Sequence, residues 1–282
     1  MGSCCSCCSC WSYCPCCCCC CNESQVVEPQ SPRKYEVPTR PYSPGKGYSH
    51  IRVTHANPLR LIQGFENEPL VTLEEALQPF HGKIDRLDHY IKDTKTHCKQ
   101  PSEHGLTKDE SAAIYIYTNH WSNGCLYNCL EKAWESNDRE KMRPWFRFLR
   151  LFKSGYDKLP NASKTVWQGT KYDDSIKNNF SSGGSTLYAA MCLCTSSDTE
   201  IMEYLTKDGD QKMILIEYAA QLAKYAAGYT ADSSSIYLIF PGMKLSVTQS
   251  SSIGYNGSMF YHLSRELHYF SNILVYLAVV SI

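Results

Sequence analysis

The chain has 282 residues with 28 basic and 28 acidic side chains, so its formal net charge is zero. Because it has no basic surplus, and its aromatic residues are not interleaved with Lys/Arg clusters, the composition argues against nucleic-acid binding. Hydrophobic residues make up 43% and charged residues 20%, values typical of a globular chain. The length suits one domain of about 230 residues with a tail, or two small domains.

Cysteine is concentrated at the N-terminus, where 12 of the 17 cysteines lie in the first 21 residues. We therefore predict three parts. Residues 1–21 form a Cys-rich, low-complexity tail, residues 22–47 form a disordered Pro-rich linker, and residues 48–282 form one folded domain.

The chain begins M-G-S-C-C-S, which matches the pattern for N-myristoylation at Gly2. One myristoyl chain binds a membrane only marginally, so stable attachment needs a second signal. Cys4 and Cys5 are candidate palmitoylation sites, and acylation at these positions predicts a location on the cytoplasmic face of a membrane. Without acylation we expect a cytoplasmic protein.

Two other interpretations of the cysteine run stay open. One is a thiolate cluster, because soft cysteine ligands suit zinc or copper(I), although an unbroken run lacks the paired spacing of zinc sites. The other is plain low complexity or an error at the start of the chain. In the domain itself, the cysteines form no CxxC pair and the histidines no HExxH motif, so we predict no metal site there.

The first half of the domain predicts helices. Capping-box patterns occur at 72–75 (T-L-E-E) and 107–110 (T-K-D-E), and each opens a helix. Apolar spacing continues the first helix, past an interruption at Pro79, to about residue 97. Further helices are predicted at 126–134 and from Pro144 onward, where an aromatic stripe is expected to pack in the core.

The second half predicts short strands separated by Ser-, Gly- and Asp-rich segments. A helix at 198–205 lies among them. The predicted strands are 165–167, 188–194, 213–218, 237–240, 244–247 and 273–280. Helices first and strands later indicate an α+β domain with a mostly antiparallel sheet core.

Several motifs occur in one order between about residues 50 and 250. They are N-E-P-L-V-T-L-E-E-A (67–76), G-L-T-K-D-E-S-A-A-I-Y-I-Y-T (105–118), R-E-K-M-R-P-W-F (139–146), K-L-P (158–160), T-V-W-Q-G (165–169) and C-T-S-S (194–197). Together they resemble the arginine-specific mono-ADP-ribosyltransferase family.

The resemblance implies an N-terminal helical section followed by a two-sheet core with an NAD cleft. It implies a transferase of the glycosyltransferase class. Such an enzyme moves ADP-ribose from NAD, or from NADP, to a protein arginine and releases nicotinamide, without a metal.

In that family an Arg on the first core strand and a Ser in a Ser-Thr-Ser-like strand hold the NAD. Here Gln168 stands in the place of the Arg. The key Ser falls on Cys192 or Cys194, and the nearby hydroxyls are possible substitutes. The positions implied to contact NAD are Gln168, Gly169, Cys192, Cys194, Thr195 and Ser196.

The family's catalytic Glu-x-Glu falls on Ser233 to Ser235, and the nearest acid is Asp232. Cleavage of the nicotinamide bond builds positive charge on the ribose, which a carboxylate stabilises and a hydroxyl does not. We therefore predict weak or lost arginine ADP-ribosylation. Four alternatives stay open. Asp232 serves as the acid, or the site is wholly rearranged, or the domain keeps NAD hydrolysis or another acceptor. The fourth is a non-catalytic module that binds NAD, ADP-ribose or a protein.

Overall fold

The structure is a computed structural model that describes residues 53–122, 124–181, 187–206, 212–231, 236–253 and 258–265. All of these residues lie within the unit Tyr42–Ile282. The predicted tail and linker, with Gly2, Cys4 and Cys5, and the predicted strand at 273–280 fall outside them. In the described part of the chain, no helix is both long and apolar enough to span a membrane.

Nine α-helices are described, and seven of them precede the main strands. Short 3₁₀ turns link several of these helices. The helices are α1 Leu59–Ile62, α2 Leu73–Leu77, α3 Leu87–His97, α4 Lys108–Thr118, α5 Leu126–Glu135, α6 Arg139–Met142, α7 Phe146–Lys158, α8 Asp174–Ser181 and α9 Asp198–Thr206.

Both predicted capping boxes are present. The Thr72 side chain accepts from the backbone N–H of Glu75 at the start of α2, and Thr107 and Glu110 form the same reciprocal pair at the start of α4. The predicted interruption at Pro79 is present as a 3₁₀ turn that ends α2, and a separate helix, α3, reaches residue 97 as predicted. The aromatic stripe of α7 is buried as predicted.

The described residues include nine strands, which follow one another in the hydrogen-bonded order β1-β3-β8-β9-β5-β2-β4-β7-β6. Every pairing is antiparallel except that of β5 with β9. The strands are β1 Val53–Thr54, β2 Val166–Lys171, β3 Leu187–Ala189, β4 Cys192–Thr195, β5 Met213–Tyr218, β6 Lys224–Tyr225, β7 Ile236–Ile239, β8 Lys244–Ile253 and β9 Ser258–Arg265.

The sheet has two parts, which meet between β2 and β4. Those two strands share a single residue pair, Trp167 with Thr195, whereas β2 and β5 share six. Six strands therefore form one part and three strands (β4, β7 and β6) the other. This arrangement confirms the predicted α+β class, with a helical section followed by two mostly antiparallel sheets.

The prediction of one strand at 188–194 is wrong, because the chain bends at Ala190 and Met191 and β3 and β4 join different parts of the sheet. The backbone N–H of Ala189 donates to Met243 O (2.8 Å), and its carbonyl accepts from Gly242 N (2.9 Å). These bonds hold β3 beside the start of β8. Among the elements that were not predicted are α8 and β9. Their core residues nevertheless have helical spacing in α8 (Ile176 and Phe180) and strand alternation in β9 (Met259, Tyr261 and Leu263).

Two apolar cores lie on opposite faces of the central strands. The helix-side core contains residues of the helices α2 through α7 and of α9, which pack against strand residues such as Leu193 and Leu215. The sheet core contains the alternate residues of the same strands, Cys192, Cys194 and Ile216 among them. Because successive side chains of a strand point to opposite faces, each candidate site residue belongs to one face only.

Candidate functional site

Gln168 lies in the middle of β2, fully buried. Its Nε2 donates to the carbonyl oxygen of Leu193 (2.9 Å), and its Oε1 accepts from the hydroxyl of Tyr218 (2.9 Å). The amide thus ties β2 to β4 on one side and to β5 on the other. Both ends of the group expected to face NAD are occupied by the protein itself.

The surroundings of Gln168 are neutral. Tyr218 and Cys194 are fully buried, and burial raises the pKa of both groups well above their usual values. Cys192, two residues earlier on the same face, is also buried and adds to the increase at Cys194. Both cysteine side chains are buried in the sheet core, so neither presents its thiol at the surface for a ligand to contact.

Thr195 lies on the opposite face of β4 from Cys194 and is buried. Its Oγ1 donates to Glu200 Oε2 (2.8 Å) and accepts from the backbone N–H of Ser197 (3.3 Å). The Ser197 hydroxyl in turn accepts from Glu200 N (3.2 Å), which caps the start of α9. Ser196, between them, is half-buried. The Thr195 hydroxyl therefore has a structural partner.

Gly169 has a packing reason for being glycine. A Cβ added there would lie 2.3 Å from Ile201 Cγ2 and 2.9 Å from Leu215 Cδ2. Contacts that short do not occur between real side chains, so only glycine lets α9 approach β2 this closely. Gly169 shares this face with Trp167 and does not line the side occupied by Gln168.

Ser233, Ser235 and Asp232 lie outside the described residues. The segment that leads to them is held by the helical section: Ala231 N donates to Thr118 Oγ1 (3.0 Å). The Tyr229 hydroxyl lies 2.8 Å from Ser102 Oγ and 3.0 Å from His104 Nδ1. The segment after them begins with Ile236, which pairs with Thr195.

The structure therefore brings together Gln168, Cys192 and Cys194 on one face of the sheet, and places Gly169 and Thr195 on the other. Sequence reasoning missed Tyr218 and Glu200, the partners of Gln168 and Thr195. Neither belongs to a motif, and only the pairing of strands identifies them. Among the described residues, no group of three or more His, Cys, Asp or Glu side chains is placed to hold a metal ion.

Neither a protein-family model nor a curated protein matches the chain. Solved structures that align with it include ADP-ribosyltransferases and a type III effector. HopU1 of Pseudomonas syringae aligns at 16% identity and TM-score 0.44, over 73% of this chain and 97% of that one. Vis toxin, an ADP-ribosyltransferase from Vibrio splendidus, aligns at 16% identity and TM-score 0.40, over 72% and 90%.

The type III effector XopAI of Xanthomonas axonopodis aligns at 12% identity and TM-score 0.48, over 74% of this chain and 91% of that one. These are distant likenesses, in identity and in geometry. The activities in those names belong to those proteins.

Proposed function

We propose that this chain is a protein of the mono-ADP-ribosyltransferase fold in which transfer of ADP-ribose to arginine is weak or lost. Support comes from the ordered motifs between residues 50 and 250, and from the helical section followed by a two-part antiparallel sheet. NAD is the nucleotide that this fold would take, and no metal is needed for the chemistry.

The observation that carries the proposal is the environment of Gln168. An arginine in this place would offer a diphosphate two charge-assisted bonds. The glutamine has no charge, and its amide is turned inward to Leu193 O and the Tyr218 hydroxyl. Losing one charge-assisted hydrogen bond weakens binding by about 1.5–3 kcal/mol.

The place of the catalytic acid supports the same conclusion. Ser233 and Ser235 stand there in the sequence, and a hydroxyl does not stabilise the cationic ribose that forms as nicotinamide leaves. Loss of one preorganised electrostatic group typically lowers a rate by about 10²–10³-fold. With the Arg, Ser and Glu positions all substituted, we expect turnover close to background.

The test is nicotinamide release from NAD with agmatine as a generic arginine acceptor. We expect no release above the protein-free control. Release at a rate typical of an enzyme would contradict the proposal, and loss of that release in Asp232→Ala would identify the acid responsible. Calorimetry with NAD and ADP-ribose completes the test, because binding without turnover indicates a non-catalytic binding module, the second function that this fold allows.

We also propose that the N-terminus attaches the protein to the cytoplasmic face of a membrane, through myristoylation at Gly2 and palmitoylation at Cys4 and Cys5. The M-G-S-C-C-S start supports this, because it places a second acyl site next to the first. In cells, an alkyne analogue of myristate should label the wild type and fail to label Gly2→Ala. An unlabelled wild type would exclude the myristoyl anchor.

A further inference from the structure

A buried tyrosine joins two segments that lie between secondary-structure elements. Tyr229 belongs to the segment 226–231, which follows β6, and its side chain is fully buried. Its hydroxyl reaches the segment between α3 and α4, where it lies 2.8 Å from Ser102 Oγ and 3.0 Å from His104 Nδ1. These three side chains form the Tyr229 cluster. The cluster therefore holds the segment 226–231 against the helical section.

The bonds that Ser102 accepts fix the direction of the hydrogen bonds in the cluster. Ser102 Oγ accepts from the backbone N–H of His104 (3.2 Å) and of Leu106 (2.9 Å), which occupies both lone pairs of a hydroxyl oxygen. Ser102 therefore donates its own hydrogen to the Tyr229 oxygen, and the Tyr229 hydroxyl donates to His104 Nδ1. An imidazole nitrogen accepts only when it carries no hydrogen. The cluster is thus complete when His104 is neutral, with its hydrogen on Nε2.

Protonation of His104 breaks this sequence of bonds. The cationic ring carries a hydrogen on each nitrogen, so Nδ1 changes from an acceptor to a donor that faces the donating hydroxyl of Tyr229. Because Tyr229 is fully buried, its hydroxyl does not reach bulk water, and a buried donor without an acceptor is unfavourable. His104 itself is half-buried and within reach of solvent protons. Imidazole is the side chain that ordinarily gains its proton between about pH 8 and pH 5.

The charged groups around the cluster form two ion pairs that keep their charge in this pH range. Lys99 lies over the tyrosine ring, with Nζ 5.3 Å from the ring centroid, and pairs with Glu103 (3.0 Å). Lys158 of α7 donates to a carbonyl oxygen of the same segment as His104 (3.2 Å) and pairs with Glu110 (2.6 Å). The pKa of both carboxyl groups lies below its usual value. His104 is the only histidine of the two joined segments, so its protonation is the change of charge expected there.

We propose that the Tyr229 cluster is a pH-dependent contact, which holds the segment 226–231 in place at neutral pH and weakens when His104 gains a proton. Residues 232–235, the positions implied for the catalytic acid, follow this segment directly in the sequence. A weakened contact would therefore loosen the chain that leads to those positions. The inference depends on neither NAD binding nor turnover, so it stands or falls separately from the proposed function.

The test is amide hydrogen exchange of the full chain, measured by mass spectrometry at about pH 7.5 and about pH 5.5, on either side of the ordinary imidazole titration. The rates are corrected for the intrinsic effect of pH on exchange. Peptides that cover residues 226–231 should lose about tenfold in protection at the lower pH, because the buried hydroxyl loses its acceptor. Peptides from the middle of α7, residues 148–156, are the internal reference and should keep their protection.

The decisive variant is His104→Gln, because the glutamine side chain offers an oxygen acceptor that does not titrate. Its segment 226–231 should have the same protection at both pH values. The matched control is His97→Gln, since His97 is an exposed histidine of α3 whose Nδ1 lies 2.9 Å from the carbonyl oxygen of Asp93. This control should keep the pH dependence of the wild type.

Equal protection of the wild-type segment at both pH values would overturn the proposal. A pH dependence that persists in His104→Gln, or that disappears in His97→Gln, would overturn it as well. Tyr229→Phe removes the hydroxyl that donates to His104, so it should also abolish the pH dependence. If His104→Gln fails to fold, a pH dependence that survives in Tyr229→Phe overturns the proposal by itself.

Discussion

The helical section and the sheet each contain a polar cluster around a buried side chain, Glu110 in the first and Gln168 in the second, and the two clusters are built differently. In the helical section, the Glu110 carboxylate accepts from Lys158 Nζ (2.6 Å), Ser154 Oγ (2.6 Å) and the backbone N–H of Thr107 (2.7 Å). In the sheet, Gln168 is held by the Leu193 carbonyl and the Tyr218 hydroxyl. The first cluster contains a buried charge with its counter-ion, and the second contains no charge.

This difference indicates what each site can accept. A buried charge is tolerated where a cation and several donors reach it, as at Glu110. At Gln168 a cation would meet the Leu193 carbonyl and the Tyr218 phenol, beside the Cys194 thiol, and burial raises the pKa of the phenol and of that thiol. The helical section is thus able to hold a charge in its interior, whereas the position that would anchor NAD is suited to a neutral side chain only.

The largest expected effect comes from Gln168→Arg, which introduces the arginine that the family this sequence resembles has at this position. If the residues around position 168 keep their packing, the guanidinium is buried without a counter-ion, and the free energy of unfolding should fall by about 3–5 kcal/mol. Chemical denaturation measures this. A variant that is as stable as the wild type and gains NAD binding would show that the surroundings of residue 168 rearrange easily. The claim that this position suits only a neutral side chain would then be wrong.

The matched variant Gln168→Met keeps the length of the side chain without its amide. It leaves Leu193 O and the Tyr218 hydroxyl without the bonds they make to Gln168, at a cost of about 1–3 kcal/mol. A smaller loss for Met than for Arg would attribute the effect of Arg to its charge. Equal losses would attribute it to packing.

A smaller effect is expected from Lys158→Met in the other cluster. This change leaves the buried Glu110 carboxylate with only Ser154 and Thr107, and because Lys158 is partly exposed we expect a loss of about 1.5–3 kcal/mol. Lys153→Met is the control, since Lys153 pairs with the exposed Asp157 (2.6 Å) on the same helix. That change should cost no more than about 1 kcal/mol.

The contrast also explains which features could be predicted from the sequence. The bond between Thr107 and Glu110 was predictable, because a capping box uses residues three apart in the chain. The partners of Gln168 are 25 and 50 residues away, and they meet it only through strand pairing. Local patterns therefore predicted the helices that begin with a capping box, whereas the surroundings of the candidate site depend on long-range register.

A third effect, smaller again, tests the role of Gly169. Gly169→Ala would place a methyl group 2.3 Å from Ile201 Cγ2, so α9 must move away from β2. Overpacking of this kind costs about 1–3 kcal/mol, and helical movement should keep the loss near the lower end. Gly124→Ala is the control, with Asp85 Cβ at 3.3 Å. Unchanged stability in Gly169→Ala would mean that the close approach of α9 does not explain this glycine.

The smallest and most specific effect is the pH dependence of the Glu110 cluster. Burial alone would raise the pKa of Glu110, but the bonds from Lys158, Ser154 and Thr107 outweigh it and hold the pKa below its usual value. A carboxyl group whose folded pKa is lowered stabilises the fold fully above its unfolded pKa of about 4.3, and loses this contribution as the pH falls through the folded pKa.

The free energy of unfolding should therefore decrease between about pH 5 and pH 3 in the wild type, partly because of Glu110. Glu110→Gln removes this group, so its stability should decrease less over the same range. The difference between the two curves isolates Glu110, because every other carboxyl group is shared. Parallel curves would show that the bonds to Glu110 do not lower its pKa, and the charged cluster would then stabilise the helical section no more than a neutral cluster such as that of Gln168.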